Sequence, residues 1–442
     1  MGSLTLGLDR YADWRRLYRE RLVRAEDAVK QVKSFDRVVL GHACSEPRSL
    51  VDALLDRAPE LRGVEILHLL SLNSARYCRE EYRESFRHHS LFLGKNTRQA
   101  ASEGLADFTP CYFHQVPRLF MEGTLPVDVA MVTVSPPGEQ GMMSLGISVD
   151  YTKAAALCAK TVIAEVNPHM PDTGGSSYLS MDDVDMLVES DTPLMEYPTS
   201  RPDELYLTIG EKVSSLIADG DCLQIGIGSL AEAVLRSLED KRDLGIHSEL
   251  LTGSIMHLVE SGVVTCMRKN VNPGKIIASF AMGTARFYAW LHENPMVEMH
   301  PVELVNDPFI IARNDNMVTV NSAIAVDLLG QVAADTIGPR QYSGVGGQVD
   351  FVRGAAHSRG GRNIIALPST ASGGRISRIV SALERGSAVT TNRHDVDYVA
   401  TEHGVVRLRG LSLRQRSRAL IGIADPRFRD RLEEECRELY GW

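Results

Sequence analysis

Short apolar runs alternate with amphipathic stretches along the first part of the chain. The runs Arg37–Leu40, Val127–Val134 and Thr161–Val166 are rich in valine, and each is followed within two residues by glycine or proline, which predicts buried strands. The stretches Ser49–Ala58 and Ala154–Lys160 carry helical patterns between such runs. Strands that alternate with helices predict parallel βαβ units with right-handed crossovers. We therefore expect an open α/β sheet in this part of the chain.

The pattern breaks at Ser190–Arg201, which is polar, contains two prolines and is typical of a linker. It restarts with a predicted strand at Cys222–Ile227 and a predicted helix at Leu230–Leu238. A chain of 442 residues is also too long for one hydrophobic core. We expect two similar open α/β domains with mainly parallel sheets, which cover residues 1–195 and 196–442.

Charge and composition exclude several classes of protein. The formal net charge of −9 argues against a nucleic-acid-binding protein, which should carry a basic excess. The seven cysteines are scattered without a Cys-x-x-Cys pair, which favours reduced thiols over disulfides or a zinc site. The chain lacks a signal-peptide pattern and any run of about 18 apolar residues. We expect a cytoplasmic protein without a membrane segment.

A glycine turn in the second half is the strongest candidate site. Gly226-x-Gly228-x-x-Ala231 follows a predicted strand and opens a predicted helix, and Glu249 lies where the next short strand ends. This spacing fits a dinucleotide fingerprint, in which the acid binds a ribose hydroxyl, and it would make the protein an NAD-dependent oxidoreductase. It fits equally a site for another anionic ligand, with Glu249 as a nucleophile, or a structural turn without a ligand.

Two further loops have the composition of ligand-binding segments. Ser343–Gly347 contains three glycines within four residues, which suits backbone N–H groups aimed at a ligand or an oxyanion, or a simple turn. Pro368–Arg378 is small, polar and basic, and it leads into a helix predicted at Ile376–Leu383. Arg375 at that N-terminus would suit a phosphate group or a solvated helix cap.

The histidines do not indicate a metal site. They are dispersed and form no His-x-x-x-His or His-Glu-x-x-His pair, so metal ligation is not expected. His247 and Glu249 stand two residues apart, which would place both side chains on one face of a strand and towards one cleft. A histidine at such a position is more often structural than catalytic.

Eight segments resemble the acetyl-CoA hydrolase/transferase family of class I CoA-transferases, and most closely its 4-hydroxybutyrate CoA-transferase branch. The resemblance covers nearly the whole chain. It is carried by the segments Phe86–Asn96, Phe108–Leu119, Pro126–Pro137, Gly146–Lys153, Gly245–Glu249, Asn314–Val318, Ser343–Gly354 and Ser387–Tyr398.

The resemblance implies a covalent mechanism. Glu249 would be the nucleophile that attacks an acyl-CoA, and a glutamyl-CoA thioester would form in ping-pong kinetics. The candidate coenzyme A-binding residues are Gln224, Ile225, Gly226, Ile227, Gly228, Gly344, Gly346, Gly347 and Arg375. Asn306 and Asn321 are candidates for holding the substrate carboxylate. Coenzyme A would be a substrate and product, with no tightly bound cofactor or metal, and the protein would be a homodimer.

Departures from the family pattern bear on the acid rather than on Glu249. The family often has Pro-Asp-Glu-His-Gly where this chain has 137–141 Pro-Gly-Glu-Gln-Gly, and Asp172 replaces an arginine. We expect CoA transfer between an acyl-CoA, such as acetyl- or butyryl-CoA, and a small acid such as 4-hydroxybutyrate. Itaconate, succinate and butyrate stay open as acids. The alternatives are an acyl-CoA hydrolase that uses the same glutamate and, more remotely, an NAD-binding oxidoreductase.

Overall fold

The computed structural model describes residues 14–73 and 75–442, and its backbone forms two compact units. The first unit contains the described residues up to Thr109 together with Gln115–Tyr197 and Ala278–Glu303. The second contains Pro110–His114, Pro198–Ile277 and Leu304–Trp442. The units thus exchange short segments across the boundary expected between residues 195 and 196, and the two-domain division stays a prediction.

The first unit is built on a parallel sheet. In the described residues this sheet has seven strands: β1 (Arg37–Leu40), β2 (Val64–Leu67), β3 (Phe86–Ser90), β4 (Ala106–Phe108), β5 (Val129–Val134), β6 (Thr161–Val166) and β7 (Met186–Glu189). Their spatial order is β7-β6-β5-β1-β2-β3-β4, and every neighbouring pair is parallel. All six residues of β5 are buried, which is why this strand is a continuous apolar run.

The helices of the first unit come mostly between consecutive strands. Their bounds are Trp14–Arg21, Ala25–Ala28, Arg48–Asp56, Arg98–Ser102, Val116–Met121, Thr152–Cys158 and Ala285–Leu291. Two short strands, Met142–Ser144 and Tyr178–Ser180, pair antiparallel, and Gly174–Gly175 pairs in parallel with Val297–Met299. The core includes Val38, Leu50, Ile66, Met131 and Ile163.

The second unit contains a six-stranded sheet within the residues described. Its strands are β8 (Cys222–Ile225), β9 (Gly245–Ile246), β10 (Met317–Ser322), β11 (Arg362–Ala366), β12 (Tyr398–Thr401) and β13 (Gly404–Arg407), in the order β9-β8-β10-β11-β12-β13. All neighbours are parallel except the hairpin β12–β13. The chain leaves β8 to one side for β9 and later returns on the other side as β10. The carboxyl end of β8 is therefore a topological switch point, where ligands of open α/β sheets bind.

Helices and short strands complete the second unit. The helices are Glu204–Ser214, Ser229–Arg236, Gly253–Glu260, Pro308–Ile311, Gln348–His357, Leu413–Gly422 and Pro426–Tyr440. Short strands form the antiparallel pairs Ala325–Asp327 with Val332–Ala333 and Thr336–Ile337 with Arg340–Gln341. Of the remaining elements, the strand Leu250–Thr252 belongs to the second unit and the strand Phe280–Met282 to the first. The strand Ile276–Ala278 and the helix Val302–Val305 lie where the chain passes from one unit to the other.

Most elements lie where the pattern predicts them, but one helix prediction is wrong. Ile376–Leu383 is not a helix: Thr370–Ala371 pairs antiparallel with Ile376–Ser377, and Ile379–Val380 then pairs in parallel with Ala325–Asp327. Residues 372–374, Ser-Gly-Gly, all have positive φ (53°, 68° and 83°) and reverse the chain at this point. This turn favours a hairpin over a helix N-terminus.

Candidate active site

Glu249 lies in a bend between β9 and the strand Leu250–Thr252, at the switch-point end of the second sheet. Its carboxylate is partly buried, and Oε2 accepts a hydrogen bond of 2.6 Å from Nδ2 of Asn306. Asn306 follows the helix Val302–Val305 and is completely buried. The carboxylate fixes the orientation of this amide, because the opposite orientation would place two acceptor oxygens against each other.

The second polar atom of Asn306 is unusual. Its Oδ1 is buried and has no hydrogen-bond partner among the described protein groups. A buried polar atom without a partner costs about 1–3 kcal/mol, and native proteins retain few of them. A side chain that accepts this cost while holding a carboxylate is typical of a functional site.

Gly347 forms the wall on another side of the carboxylate. It is the N-cap of the helix Gln348–His357, and its φ of −93° and ψ of 4° are open to other residues. A Cβ atom built on Gly347 would overlap both Oε2 of Glu249 and Nδ2 of Asn306. Glycine is therefore needed here for close approach to the carboxylate rather than for its backbone angles. The structure thus brings Gly347 of the loop Gly344–Gly347 together with Glu249 and Asn306, whereas the predicted role of Asn306 in holding the substrate carboxylate stays a prediction.

The first glycine turn follows the neighbouring strand. Gln224 and Ile225 end β8, and Gly228 is the N-cap of the helix Ser229–Arg236 with φ 94° and ψ 178°, a conformation essentially restricted to glycine. The hydroxyl of Ser248 donates to the carbonyl of Ile225 over 3.3 Å, so the segment that carries Glu249 runs directly beside this turn. Ile227 is 40% exposed, which leaves the turn accessible.

Strand pairing and hydrogen bonds to buried groups hold the backbone that leads to Glu249 in place. Gly245 and Ile246 pair in parallel with the start of β8. The ammonium group of the buried Lys269 donates to the carbonyl of Ile246 over 2.8 Å, and the N–H of Ser248 donates to the carbonyl of Ile277 over 3.0 Å. These bonds fix the path of the chain just before the carboxylate of Glu249.

The second predicted carboxylate ligand has a different partner. Asn321 lies near the end of β10, and its Nδ2 donates to Oε1 of Gln224 over 3.2 Å. The reverse contact, from Nε2 of Gln224 to Oδ1 of Asn321, measures 3.5 Å. The two amides are therefore a reciprocal pair across β8 and β10. Asn306, in contrast, donates its hydrogen bond to Glu249.

Arg375 has surroundings that differ from those expected. Since no helix begins at Ile376, Arg375 does not stand at a helix N-terminus, and no helix dipole favours a phosphate group beside it. It lies instead in the hairpin and lines a groove together with Phe428 and Arg431 of the helix Pro426–Tyr440. Its role in binding coenzyme A stays a prediction.

Sequence reasoning missed one contact to the glycine loop. The N–H of Phe113 donates to the carbonyl of Gly346 over 3.2 Å. Nδ1 of His114 lies 2.8 Å from Oδ1 of Asp350, which is in the first turn of the helix after Gly347. His114 and Asp350 are 236 positions apart in the chain. The only signal in the sequence for their proximity is that Phe108–Leu119 and Ser343–Gly354 both belong to the segments that carry the family resemblance.

Burial also changes the acidity of a carboxyl group near the first glycine turn. Glu232, one turn into the helix that starts after Gly228, is buried, and desolvation raises its pKa although Ser254 donates a hydrogen bond to it.

In the part of the chain that the structure describes, no three His, Cys, Asp or Glu residues are arranged to hold a metal ion. Among the same residues, no helix is both long and apolar enough to cross a membrane.

Known proteins resemble this chain over nearly its whole length. Models of the acetyl-CoA hydrolase/transferase N-terminal and C-terminal domains match residues 7–196 and 283–436. The chain is 49% identical to 4-hydroxybutyrate coenzyme A transferase of Clostridium kluyveri, over 97% of this chain and 100% of that protein. It is 43% identical to succinyl-CoA:cyclohexane-1-carboxylate CoA transferase of Geobacter metallireducens, over 96% of each.

A solved structure confirms the fold class. The crystal structure of 4-hydroxybutyrate CoA-transferase from Porphyromonas gingivalis matches with a TM-score of 0.84 and 40% identity, over 97% of this chain and 100% of that one. The predicted α/β architecture with mainly parallel sheets is thus confirmed, and so is the family predicted from the motifs. The chain belongs to the acetyl-CoA hydrolase/transferase family and is an enzyme of the CoA-transferase class.

Proposed function

We propose that this enzyme transfers coenzyme A from an acyl-CoA to a small carboxylic acid through a covalent intermediate on Glu249. The observation that carries the proposal is the carboxylate of Glu249 at the switch point, bonded by Asn306 and faced by Gly347. An ionised carboxylate is a weak nucleophile towards a thioester, so it must be held in place rather than left mobile. The hydrogen bond from Asn306 and the close packing of Gly347, both at Oε2, would provide that restraint.

The reaction can be written in balanced steps. An oxygen of Glu249 attacks the thioester carbonyl, and the collapse of the tetrahedral adduct expels CoA thiolate and leaves an acyl-glutamyl anhydride. The thiolate attacks the glutamyl carbonyl, releases the first carboxylate and forms glutamyl-CoA thioester. The incoming carboxylate attacks this thioester and regenerates an anhydride and thiolate. Attack of the thiolate on the acyl carbonyl then yields the new acyl-CoA and free Glu249.

Each of these steps develops an oxyanion. The amide of Asn306 donates to the carboxylate of Glu249, and the loop Gly344–Gly347, whose Gly347 packs against that carboxylate, would supply backbone N–H donors. Fixed donors of this kind usually contribute the largest single stabilisation in acyl transfer. The remaining candidates, Gln224–Gly228 and Arg375, would bind coenzyme A, whose long arm supplies binding free energy that is used in the transition state.

The names of the relatives support 4-hydroxybutyrate as the acid. Two of the proteins compared above carry that activity in their names, and the third is named for cyclohexane-1-carboxylate and succinyl-CoA. We take acetyl- or butyryl-CoA as the donor and the enzyme as a cytoplasmic homodimer, with coenzyme A as substrate and product rather than as a bound cofactor. Hydrolysis by the same glutamate is the second candidate, because the family models cover hydrolases and transferases alike.

Mass spectrometry tests the mechanism directly. The protein is mixed with acetyl-, butyryl- or succinyl-CoA without an acid, digested and searched for a CoA adduct on the peptide that contains Glu249. We expect the adduct to form and to disappear when 4-hydroxybutyrate is added, with new 4-hydroxybutyryl-CoA. Glu249→Ala should give neither adduct nor turnover. Normal transfer by Glu249→Ala would refute the proposal, and loss of the adduct in buffer alone would favour the hydrolase.

A further inference from the structure

The imidazole of His247 occupies a buried position directly behind the proposed nucleophile. It stands two residues before Glu249 and is completely buried. Its Nε2 lies 2.8 Å from the carbonyl oxygen of Val305, and its Nδ1 lies 3.3 Å from Nδ2 of Asn314. The ring also meets the ring of Phe351 edge-on, at 6.3 Å between centroids and 65° between planes.

These partners determine where the ring proton lies. A backbone carbonyl only accepts hydrogen bonds, so Nε2 must carry the proton that is donated to Val305. Oδ1 of Asn314 accepts from the N–H of Val271 over 3.0 Å, which turns Nδ2 of this amide towards the ring. Nδ1 is therefore an acceptor. With both nitrogens engaged in this way, the ring is neutral and is not placed to act as a general base.

The carbonyl of Val305, which accepts the hydrogen bond from Nε2 of His247, links the ring to the proposed site. Val305 immediately precedes Asn306, whose amide donates to Oε2 of Glu249. These contacts form a closed loop. It runs along the backbone from Glu249 to His247, through the hydrogen bond from Nε2 to the carbonyl of Val305, and along the backbone to Asn306, whose amide bonds to Glu249. Phe351, on the helix that Gly347 caps, touches the same ring. One side chain thus contacts both segments that hold the carboxylate and the helix behind its glycine wall.

We infer that His247 is a positioning residue, which sets the hydrogen bond between Asn306 and Glu249 through the carbonyl of Val305. The inference rests on the proposed function, since it concerns the geometry of that nucleophile. It also gives a physical reason why three of the motif segments belong together. Gly245–Glu249 contains the imidazole of His247, Asn314–Val318 contains the amide that fixes the tautomer of this ring, and Ser343–Gly354 contains Phe351, which packs against it. Removing the donor should move the Asn306 segment and misalign Glu249.

Two variants separate the effect of losing the hydrogen-bond donor at Nε2 from the effect of losing the volume of the imidazole ring. His247→Gln keeps an amide N–H near the position of Nε2, whereas His247→Asn is one methylene shorter and cannot reach Val305. We expect His247→Asn to lower kcat roughly 10- to 100-fold with KM for acyl-CoA changed less than about threefold, and His247→Gln to recover most of the loss. A purely structural role would lower the melting temperature of both variants without this contrast in kcat.

A matched control uses another buried histidine. His88 is also completely buried, and its Nδ1 lies 3.1 Å from the carbonyl of Ile66 in the first sheet. His88→Asn should reduce stability and leave kcat within about threefold of wild type, as expected for a substitution away from the chemistry. If His247→Asn does not fold, Asn314→Leu takes its place, because it removes the partner of Nδ1 of His247 and should likewise lower kcat without raising KM.

The adduct assay on the same samples distinguishes the positioning role from the proposed function. If wild type forms the CoA adduct on Glu249 and His247→Asn forms it about tenfold more slowly or worse, both the function and the inference hold. If wild type forms the adduct and His247→Asn matches its rate, the positioning role is wrong while the function stands. If wild type forms no adduct with any active acyl-CoA, the proposed function itself fails.

Discussion

A methyl group added at Gly347 tests how closely catalysis depends on the position of the carboxylate. The Cβ of an alanine would overlap Oε2 of Glu249 and Nδ2 of Asn306, and 3.4 Å is the lower limit of ordinary contact. Both groups must therefore move away by about 1–1.5 Å, or the backbone must shift by as much. The φ of −93° at Gly347 is allowed for alanine, so the backbone itself is not strained.

The expected effects on activity and stability differ in size. A displacement of about 1 Å at reacting groups costs roughly 100-fold in rate, which is about 3 kcal/mol in the barrier. Loss of a glycine N-cap costs at most about 1 kcal/mol of stability. Gly347→Ala should thus be a folded protein with kcat reduced roughly 100-fold and a melting temperature within a few degrees of wild type.

The assay compares Gly347→Ala with Gly422→Ala. Gly422 ends the helix Leu413–Gly422, and an added Cβ there has nothing within 4 Å. Initial rates of acyl-CoA formation at saturating substrates give kcat, and differential scanning fluorimetry gives the melting temperature. The control should match wild type in both. Wild-type kcat in folded Gly347→Ala would refute the reasoning, because the observed packing would then not constrain the nucleophile.

Other perturbations of the site and of the first sheet have outcomes that can be measured. Glu249→Asp should be severely impaired in steady-state rate assays, since one lost methylene withdraws the nucleophile from its partners. Asn306→Ala should lower kcat roughly 100-fold in the same assays. Coenzyme A at about 100 times its Kd should stabilise the protein by about 2.7 kcal/mol in urea unfolding. Burial raises the pKa of Glu65, but hydrogen bonds from His89 and Arg37 outweigh it and lower this pKa to about 2. Glu65→Gln should therefore destabilise the protein above pH 4.5, and the difference should vanish as pH falls through about 2.

Sequence patterns identified the parts of the fold that depend on local composition. The runs Arg37–Leu40 and Thr161–Val166 form strands with the predicted bounds, because strands of a parallel sheet that are buried on both faces are continuously apolar. The strand predicted at Val127–Val134 begins at Val129, and the helix predicted at Ala154–Lys160 runs from Thr152 to Cys158. Such small shifts arise because the ends of elements are set by tertiary hydrogen bonds rather than by hydrophobic period.

The wrong helix at Ile376–Leu383 shows the limit of periodicity. Ile376, Ile379, Val380 and Leu383 are spaced as on one helix face, yet the same residues are β-branched in three of four positions. The preceding turn of positive-φ residues decided between the two. It directs the chain into a hairpin in which Ile376 is exposed, and the strand that follows the hairpin buries Ile379. A short apolar run cannot reveal this choice, because both structures bury part of it.

The sequence predicted those parts of the candidate site that depend on local structure, but not the contacts between residues far apart in the chain. Glu249 and the turn Gly226–Gly228 stand at strand ends, which a sequence reveals through period and glycine. Asn306 lies 57 positions from Glu249, and His114 lies 236 positions from Asp350. No spacing rule connects such pairs, since their contact depends on how the strands are ordered in the sheet.

The restraint on Glu249 also bears on whether the enzyme transfers or hydrolyses. In the proposed mechanism both reactions would share the glutamyl intermediate, so the outcome would depend on how well an acid competes with water, which is far more abundant. A bound and oriented reactant can reach an effective concentration of about 10⁵ M or more, and this advantage exists only while its partner is held in place. Water needs no such alignment. Loosening the carboxylate through Asn306 or Gly347 should therefore reduce transfer more than hydrolysis, which makes a rigid Glu249 a condition for transferase activity and not only for speed.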